Sequence, residues 1–535
     1  MNASAAFGEI GKTPAVASRL MITLAVMSAT LIQVLDTTIV NVALPHMQGE
    51  LGATSDQISW VLTSYLVSSA IFMPLTGYFT DVWGRKRFLL ICITGFVAAS
   101  ALCGISQSVA QIVFFRLLQG IFGAALVPLS QAIMADAYPP HERGKAMAIW
   151  GLGVMVGPVA GPTLGGWLTD TYSWRYAFYI NIPVGILAIY MINRFVHDPH
   201  YITKTKAPAF DRYGFAALVI WTGCLQVVLD KGQEDDWFAS KLITFFVVVM
   251  IIAFVTMIWW ELKQLREGHR PIVNLTLFKR RNFAISFGLM FVLGFTLYGT
   301  TILIPQFVQT LLGYTAELAG MVLSPAGFMM MAMMPVVGIL SSKVDPRKLI
   351  AYGFLSLTAS LVVMHTMDLQ ISYGRLVFLR MFQASGLAFL FIPINMIAYI
   401  GVKQSENNDV SGLTNLARNI GGSCGTAFVA TMLTRLSAAH ETNMIRNLSP
   451  GNPAFVEQVK HLKGMFGGGH GGGNPMLGNA AHTAQAYIYN QMHRQAGMLA
   501  YLDIIQYLAV FCALMLPLLF FIPKPPAHLD PGAGH

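Results

Sequence analysis

The sequence predicts an all-α integral membrane protein of about fourteen spans, arranged as two six-helix lobes with two further helices between them. Three observations carry that prediction. The 535 residues are 55% hydrophobic and 11% charged, whereas a soluble domain carries about 25% charged residues. Apolar stretches recur at the length of about twenty residues that a bilayer requires. Two signatures of the first half also return, in the same order, in the second.

The apolar runs lie near 20–44, 58–80, 88–106, 111–135, 146–168, 177–196, 213–230, 241–261, 283–304, 318–341, 349–367, 375–401, 412–434 and 499–522. The first is too long for a cleaved signal segment and is expected to remain as the first membrane helix. Alternate loops separate by charge. One set holds Arg85-Lys86-Arg87; His141, Arg143 and Lys145; Arg194, Lys204, Lys206 and Arg212; Lys263 to Arg281; and Lys343, Arg347 and Lys348. The other is poor in basic residues or acidic, as at Glu50 with Asp56 and at Glu234-Asp235-Asp236. Basic loops face the cytoplasm, so both termini are expected there. The same clustering assigns the net charge of +9 to topology rather than to a nucleic-acid partner. Cys92, Cys103, Cys224, Cys424 and Cys512 all sit within apolar runs without CxxC spacing, so neither disulfides nor a metal are implied.

The run from Gly77 through Asp81 and Gly84 to Arg87 recurs in weakened form from Gly338 to Lys348, and Arg116-Leu-Leu-Gln119-Gly120 recurs as Arg380-Met-Phe-Gln383-Ala384. Both offsets are roughly 260 positions, as duplicated transporter halves require. The expected division is an N-terminal lobe over 1–200, two linker spans within 201–272, and a C-terminal lobe over 273–535. The last contains a polar loop at 437–495, expected on the non-cytoplasmic side. It carries a glycine run, 467–473, around His470, flanked by two short helices near 454–465 and 480–494. Such a run reads first as a flexible linker, with metal capture by His461, His470 and His482 as a weaker reading. The tail from Pro523 reads as disordered.

Within the fifth span, Gly153, Gly157, Gly161 and Gly165 recur every fourth residue and form a ridge along which another helix can approach at backbone distance. Pro158 and Pro162 lie on an adjacent row and bend the helix. Asp36 lies well inside the first span, where an unpaired carboxylate costs about 3 kcal/mol. It must face a cavity, find a partner or take up a proton. Arg116 is its candidate partner. Counted from the outer ends of two antiparallel spans, the two lie roughly 12 Å and 9 Å deep. A structural role for Asp36, and for Arg116 a role holding backbone carbonyls of the glycine-rich helix, stand as alternatives. Asp81, Gly84, Arg85 and Lys86 form a candidate gate at the cytoplasmic end of the second span, where an acid one turn from basic residues can lock and release the lobes. Gln33, Asn41, Trp60, Tyr65, Gln131, Tyr298 and Gln306 are the candidate contacts for an amphipathic solute. Met329 to Met334 form a soft patch that suits either varied ligands or plain core filling. Arg380 and Arg418, further basic residues within spans, have no acid of matching depth and no assigned role.

These motifs resemble those of the major facilitator superfamily. Gly77 to Arg87 is similar to its loop signature, Arg116 to Gly120 to its fourth-span signature, and Gly157-Pro158 to Gly165-Gly166 to the signature of its proton-coupled exporters. The runs Leu35 to Pro45 and Ser173 to Gly185 resemble those of the fourteen-span drug:proton antiporters, EmrB-type inner-membrane pumps in particular. The resemblance implies a major facilitator fold, export of amphipathic compounds against inward protons, and a role in proton transfer for Arg116 beside Asp36. It further implies a bacterial inner membrane location, a proton gradient as energy source in place of any cofactor, and association with an EmrA-like periplasmic adaptor and a TolC-like outer-membrane channel. The 437–495 loop is the candidate adaptor platform, although its glycine run departs from the family. No GxxxxGK[ST] loop is present, so no nucleotide is implied. A narrow exporter of a siderophore or fatty acid would share every motif. A membrane enzyme would need clustered His, Asp or Glu at span ends, and the spans carry isolated ionisable groups.

Overall fold

A computed structural model describes residues 16–139, 142–198, 210–269, 271–341, 343–403, 406–446, 448–449, 451–467 and 480–521, and among them every regular element is helical. The first lobe contains α1 (Val16–Glu50), α2 (Ser55–Phe72), which passes through a 3-10 turn into α3 (Thr76–Trp83), and α4 (Arg85–Gly104). It continues with α5 (Val109–Gly123), α6 (Leu126–Ala137), α7 (Arg143–Thr171), the short α8 (Tyr176–Tyr179) and α9 (Asn181–Phe195). α2 with α3, and α5 with α6, each make one crossing.

The two linker helices, α10 (Arg212–Lys231) and α11 (Lys241–Arg266), are central in the sequence but flank the first lobe in space. Phe215 of α10 meets Phe72 of α2 at 5.9 Å, and Trp221 meets Phe254 of α11 at 5.0 Å. α11 is apolar on all sides and only 17% buried along its most apolar stretch, which makes it the lipid-facing member of the pair. α10 also reaches the second lobe, where Ser423 donates to Gln226 at 3.1 Å.

The second lobe contains α12 (Arg281–Thr310), α13 (Ala316–Ser341), α14 (Pro346–Met364), α15 (Tyr373–Ala398), α16 (Asn407–Ile445), α17 (Pro453–Gly467) and α18 (Ala480–Ala513). Among the described residues, thirteen helical segments are long and apolar enough to cross a membrane. The remaining predicted span, 412–434, lies inside α16, which has 39 residues and is thus about 58 Å long. Its apolar content is lowered by Asn407, Asn408, Asn415 and Arg418, all buried against protein rather than facing lipid. Gly421 and Gly425 press α16 onto the α12 backbone. A Cβ at either would lie 2.1 and 2.2 Å from the carbonyl oxygens of Phe291 and Phe295, so only glycine allows that approach.

Two boundaries differ from expectation. α16 runs past its predicted end to Ile445, and the predicted helix 480–494 is continuous with the last span as α18. The cause is the partnering of these extensions. His440 on α16 meets Asp503 on α18 at 2.7 Å, and Tyr489 on α18 donates to Glu441 on α16 at 2.7 Å. The expected helix 454–465 is present as α17. Most of the glycine run with His470, the tail from Pro523, the loop with Lys204 and Lys206, and His141 lie outside the described residues.

The internal repeat is visible in three dimensions. Ser108 caps α5 by accepting from the Gln111 N–H, and eight residues on Arg116 donates to Gln119 at 2.8 Å. Ser372 caps α15 by accepting from the Arg375 N–H, and eight residues on Arg380 donates to Gln383.

Candidate functional site

The glycine ridge of α7 packs on α1. A Cβ at Gly153 would lie 2.5 Å from Met27 Cε, at Gly157 2.8 Å from the Val34 backbone, at Gly161 2.0 Å from Thr38 Oγ1, and at Gly165 3.1 Å from Ile39 Cα. Two parallel helices therefore approach backbone to backbone over about two turns, from Gly157 to Gly165, and Thr38 Oγ1 donates to the Gly157 carbonyl at 3.1 Å. The backbone of α7 stays helical through positions 158 and 162; the side chains of Pro158 and Pro162 lie outside the described residues. The opposite face of α7 meets α13 of the other lobe, where a Cβ at Gly338 would lie 2.4 Å from Ala148 and one at Gly327 2.3 Å from Val159. One helix thus joins α1 to the second lobe.

α1 carries Asp36, which is fully enclosed. Its Oδ2 accepts from Arg116 Nη1 at 2.6 Å, and its Oδ1 accepts from Gln119 Nε2 at 2.8 Å and Asn181 Nδ2 at 2.9 Å. Arg116 is itself 0% exposed and donates through Nε to the Val61 carbonyl at 3.1 Å, while its guanidinium lies 4.4 Å from the Tyr65 ring centroid. Asn181 also donates to Ser100, which donates to the Phe178 carbonyl. Depth matching correctly paired Asp36 with Arg116; the carbonyl of Val61 on α2, not one of α7, takes the other guanidinium bond. Gln119 and Asn181 are the partners that sequence reasoning missed. Both lay inside recognised motifs, and Gln119 sits three residues after Arg116 on the same helix face. Among the described residues Arg116 Nη2 is enclosed without a hydrogen-bond partner, so the cluster holds a spare donor beside the carboxylate.

At the end carrying the basic loops the lobes are joined. Gly84 has φ of +82° and breaks the chain between α3 and α4, and a Cβ there would lie 2.7 Å from Asp198 Oδ2. The turn aims Arg85 inward. Arg85 forms an ion pair with Asp136 at the end of α6, and Asn407 of the second lobe donates to the same carboxylate at 2.5 Å. Asp136, which the sequence reading did not single out, thus bridges Arg85 to the second lobe, and Asp81 is partly buried one turn before Arg85. Lys86 points outward, its N–H on Asp198 and its Nζ on the Asn193 carbonyl. Asp409 of α16 packs on Gly77, with its Oδ1 1.8 Å from where a Cβ would stand. Deeper in, Gln131 donates to Asn395 and accepts from Asn415, both at 2.6 Å, and Trp150 stacks on Phe391 at 5.7 Å.

The seven candidate solute contacts do not form one group. Tyr65 and Tyr298 lie within electrostatic reach of each other across the lobe interface. Gln131 is 0% exposed and its amide is engaged in the inter-lobe contact, so in this state it is a latch and not a solute contact. Gln33 is buried and accepts from the Val127 N–H. Trp60 lines a groove of about 360 Å³ between α2, α5 and α10 on the outer flank. Asn41 and Gln306 are exposed near the ends of α1 and α12 away from the basic loops. Of the methionine patch, Met330 and Met334 are buried, the latter with Sδ 3.0 Å from where a Gly151 Cβ would stand, as core filling predicts.

Two duplicated helical lobes, sealed against each other at one end and carrying an enclosed ion pair, define a multi-pass membrane transporter. The family description Major Facilitator Superfamily matches residues 26–426, and the chain belongs to that superfamily. It is 34% identical over 520 residues to the multidrug export protein EmrB of Escherichia coli K12, covering 97% of this chain and 98% of that one. It is 33% identical over 515 residues to the fatty acid resistance protein FarB of Neisseria gonorrhoeae, covering 96% and 97%. The crystal structure of the human transporter MFSD10 (TETRAN) superposes with a TM-score of 0.55 at 16% identity, over 77% of this chain and 93% of that one, which shows a shared fold.

Proposed function

We propose that this protein exports amphipathic compounds across the bacterial inner membrane in exchange for inward protons, with Asp36 and Arg116 as the coupling pair. The observation that carries the reading is the enclosed Asp36–Arg116–Gln119–Asn181 cluster on the helix that the α7 ridge ties to the second lobe. The basic-loop end is taken as cytoplasmic, with both termini there, so the contacts through Asp136, Asn407 and Gln131 close that side and leave an outward-facing state. A proton arriving from outside onto Asp36 cancels its attraction for Arg116, loosens α1 against α5, and lets the ridge carry the change to α13. Each proton contributes about 2.3 kcal/mol per 100 mV, enough for a modest gradient of a neutral solute. Similarity to EmrB supports drug efflux, and in this reading a periplasmic adaptor and an outer-membrane channel, which the motif resemblance implies, complete the path, with the α17–α18 region as platform. Removing residues 467–473 while adaptor pull-down persists would exclude the glycine run from docking. The similarity to FarB favours a second reading, narrow export of fatty acids.

The test is proton flux from purified protein in liposomes on addition of tetraphenylphosphonium and other amphipathic drugs, for wild type and Asp36→Asn. Drug-triggered flux that the variant loses supports antiport through Asp36. Equal flux in both removes Asp36 from the mechanism.

A further inference from the structure

The two lobes carry different balances of buried charge. In the first, Asp36 and Arg116 neutralise each other. In the second, Arg380 and Arg418 are 7% and 8% exposed, and among the described residues neither meets a carboxylate. Arg380 is held by Gln383. Arg418 makes no hydrogen bond with any described residue, and its Nε is enclosed without an acceptor.

The position of Arg418 gives that imbalance a use. It lies three residues beyond Asn415, about 4.5 Å further along α16 from the cytoplasmic end, and Asn415 is part of the Gln131–Asn395–Asn415 latch. One turn on, the Tyr298 ring covers Gly422, with Cδ2 2.6 Å from where a Cβ would stand. Tyr298 is 42% exposed and within electrostatic reach of both Arg418 and Tyr65. The guanidinium carbon of Arg418 is 5.8 Å from the Phe391 ring. Arg418 therefore sits one turn along α16 from the closed latch, among the rings of Phe391 and the half-exposed Tyr298.

A guanidinium taken out of water without a counter-charge is costly, and a single ring at 5.8 Å offsets only part of that cost. An anion completes the site. Guanidinium geometry matches a carboxylate through two parallel hydrogen bonds, and the adjoining rings suit an apolar chain. We propose that Arg418 is the head-group site for amphipathic carboxylates, its guanidinium holding the ionised carboxylate while the apolar chain lies against Tyr298 and Phe391. The proposal rests on the export reading above and names a solute class and a specificity residue for it.

The experiment compares equilibrium binding of laurate and dodecanol, equal in chain length and differing in head-group charge, to the purified full-length protein in nanodiscs. Wild type, Arg418→Lys and Arg418→Met are measured, with monodispersity and melting temperature as the folding check. Wild type is expected to prefer laurate, and the ratio of affinities to fall by about tenfold or more in Arg418→Met, with Arg418→Lys in between, as loss of a charge-assisted pair requires. Lysine supplies the charge without the fork, so it also covers the case in which methionine fails the folding check. A wild type without preference for laurate, or a ratio unchanged in either folded variant, overturns the proposal. Binding does not depend on a proton gradient, so loss of drug-driven flux in wild type would sink the export reading and leave this result standing.

Discussion

Gly157→Ala tests whether the α7 ridge holds the helix that carries the Asp36 cluster. The added methyl would stand 2.3 Å from Val34 Cγ1 and 2.8 Å from both the carbonyl carbon and oxygen of Val34. The side-chain clash can be relieved by rotation; the backbone clash cannot. α1 must retreat by roughly 1 Å to restore ordinary contact, which also stretches the 3.1 Å bond from Thr38 to the Gly157 carbonyl. Overpacking of this kind costs about 1–3 kcal/mol, and a hydrogen bond between membrane helices adds about 0.6 kcal/mol. Gly166→Ala is the matched control, because its nearest neighbour would be Val42 Cγ1 at 4.0 Å, ordinary contact. Thermal unfolding in detergent and drug-triggered proton flux are measured on both. The expected result is a clear loss of stability and of flux for Gly157→Ala with Gly166→Ala near wild type. Indistinguishable behaviour of the two would refute the ridge argument.

The remaining predictions concern the two buried ion pairs. Asp136→Asn removes the carboxylate that Arg85, 1% exposed, and Asn407 share, so the basic-loop end should open. Cysteines placed at Gly144 and Gly338 in a cysteine-free background, where the backbones touch, should then cross-link more slowly than in the parent. Asp36→Asn strands the fully buried Arg116, a change worth about 3–5 kcal/mol of stability, so the melting temperature of this variant should fall. Asp36→Asn with Arg116→Gln removes both charges, so the melting temperature should recover while proton flux stays lost. Recovery of flux in the double variant would show that the pair is structural.

Much of the fold was legible because lipid imposes few solutions. Apolar length and loop charge placed the spans, and the four-residue glycine period described a real backbone contact, since that spacing stacks on one helix face whatever the partner. The least legible crossing was α16, whose apolar content is low because Asn407, Asn415 and Arg418 face protein. A hydropathy pattern reports lipid contact and is blind to polar groups buried against another helix. The candidate site divided along the same line. Asp36 and Arg116 could be paired by depth alone, because charges within a bilayer are few. Depth along a helix does not fix rotation about it, so Trp60 was grouped with Tyr65 although it faces the α10 flank. Asp136 was missed because its partners, Arg85 and Asn407, are 51 and 271 residues away in the sequence.

The arrangement of small residues on α7 explains how a local charge event can reach the far lobe. The ridge at Gly153, Gly157, Gly161 and Gly165 faces α1, while Gly144, Ala148, Gly151 and Val159 face α13 and Phe391. The α7 side of both seams is lined by small residues, and where backbone meets backbone, as at Gly157 and Gly165, no rotamer change can absorb a displacement, so a shift of α1 there is passed on or resisted as a whole. The Asp36 cluster binds α1 to α2, α5 and α9 through Val61, Arg116, Gln119 and Asn181. Neutralising one carboxylate therefore weakens the restraint on a helix whose other face is already bonded to the transmitting element. The latch at Gln131 and the lock at Asp136 are uncharged or singly bridged contacts between lobes, weaker than the enclosed ion pair within one. That ordering allows the lobes to separate at the basic-loop end while each lobe stays intact.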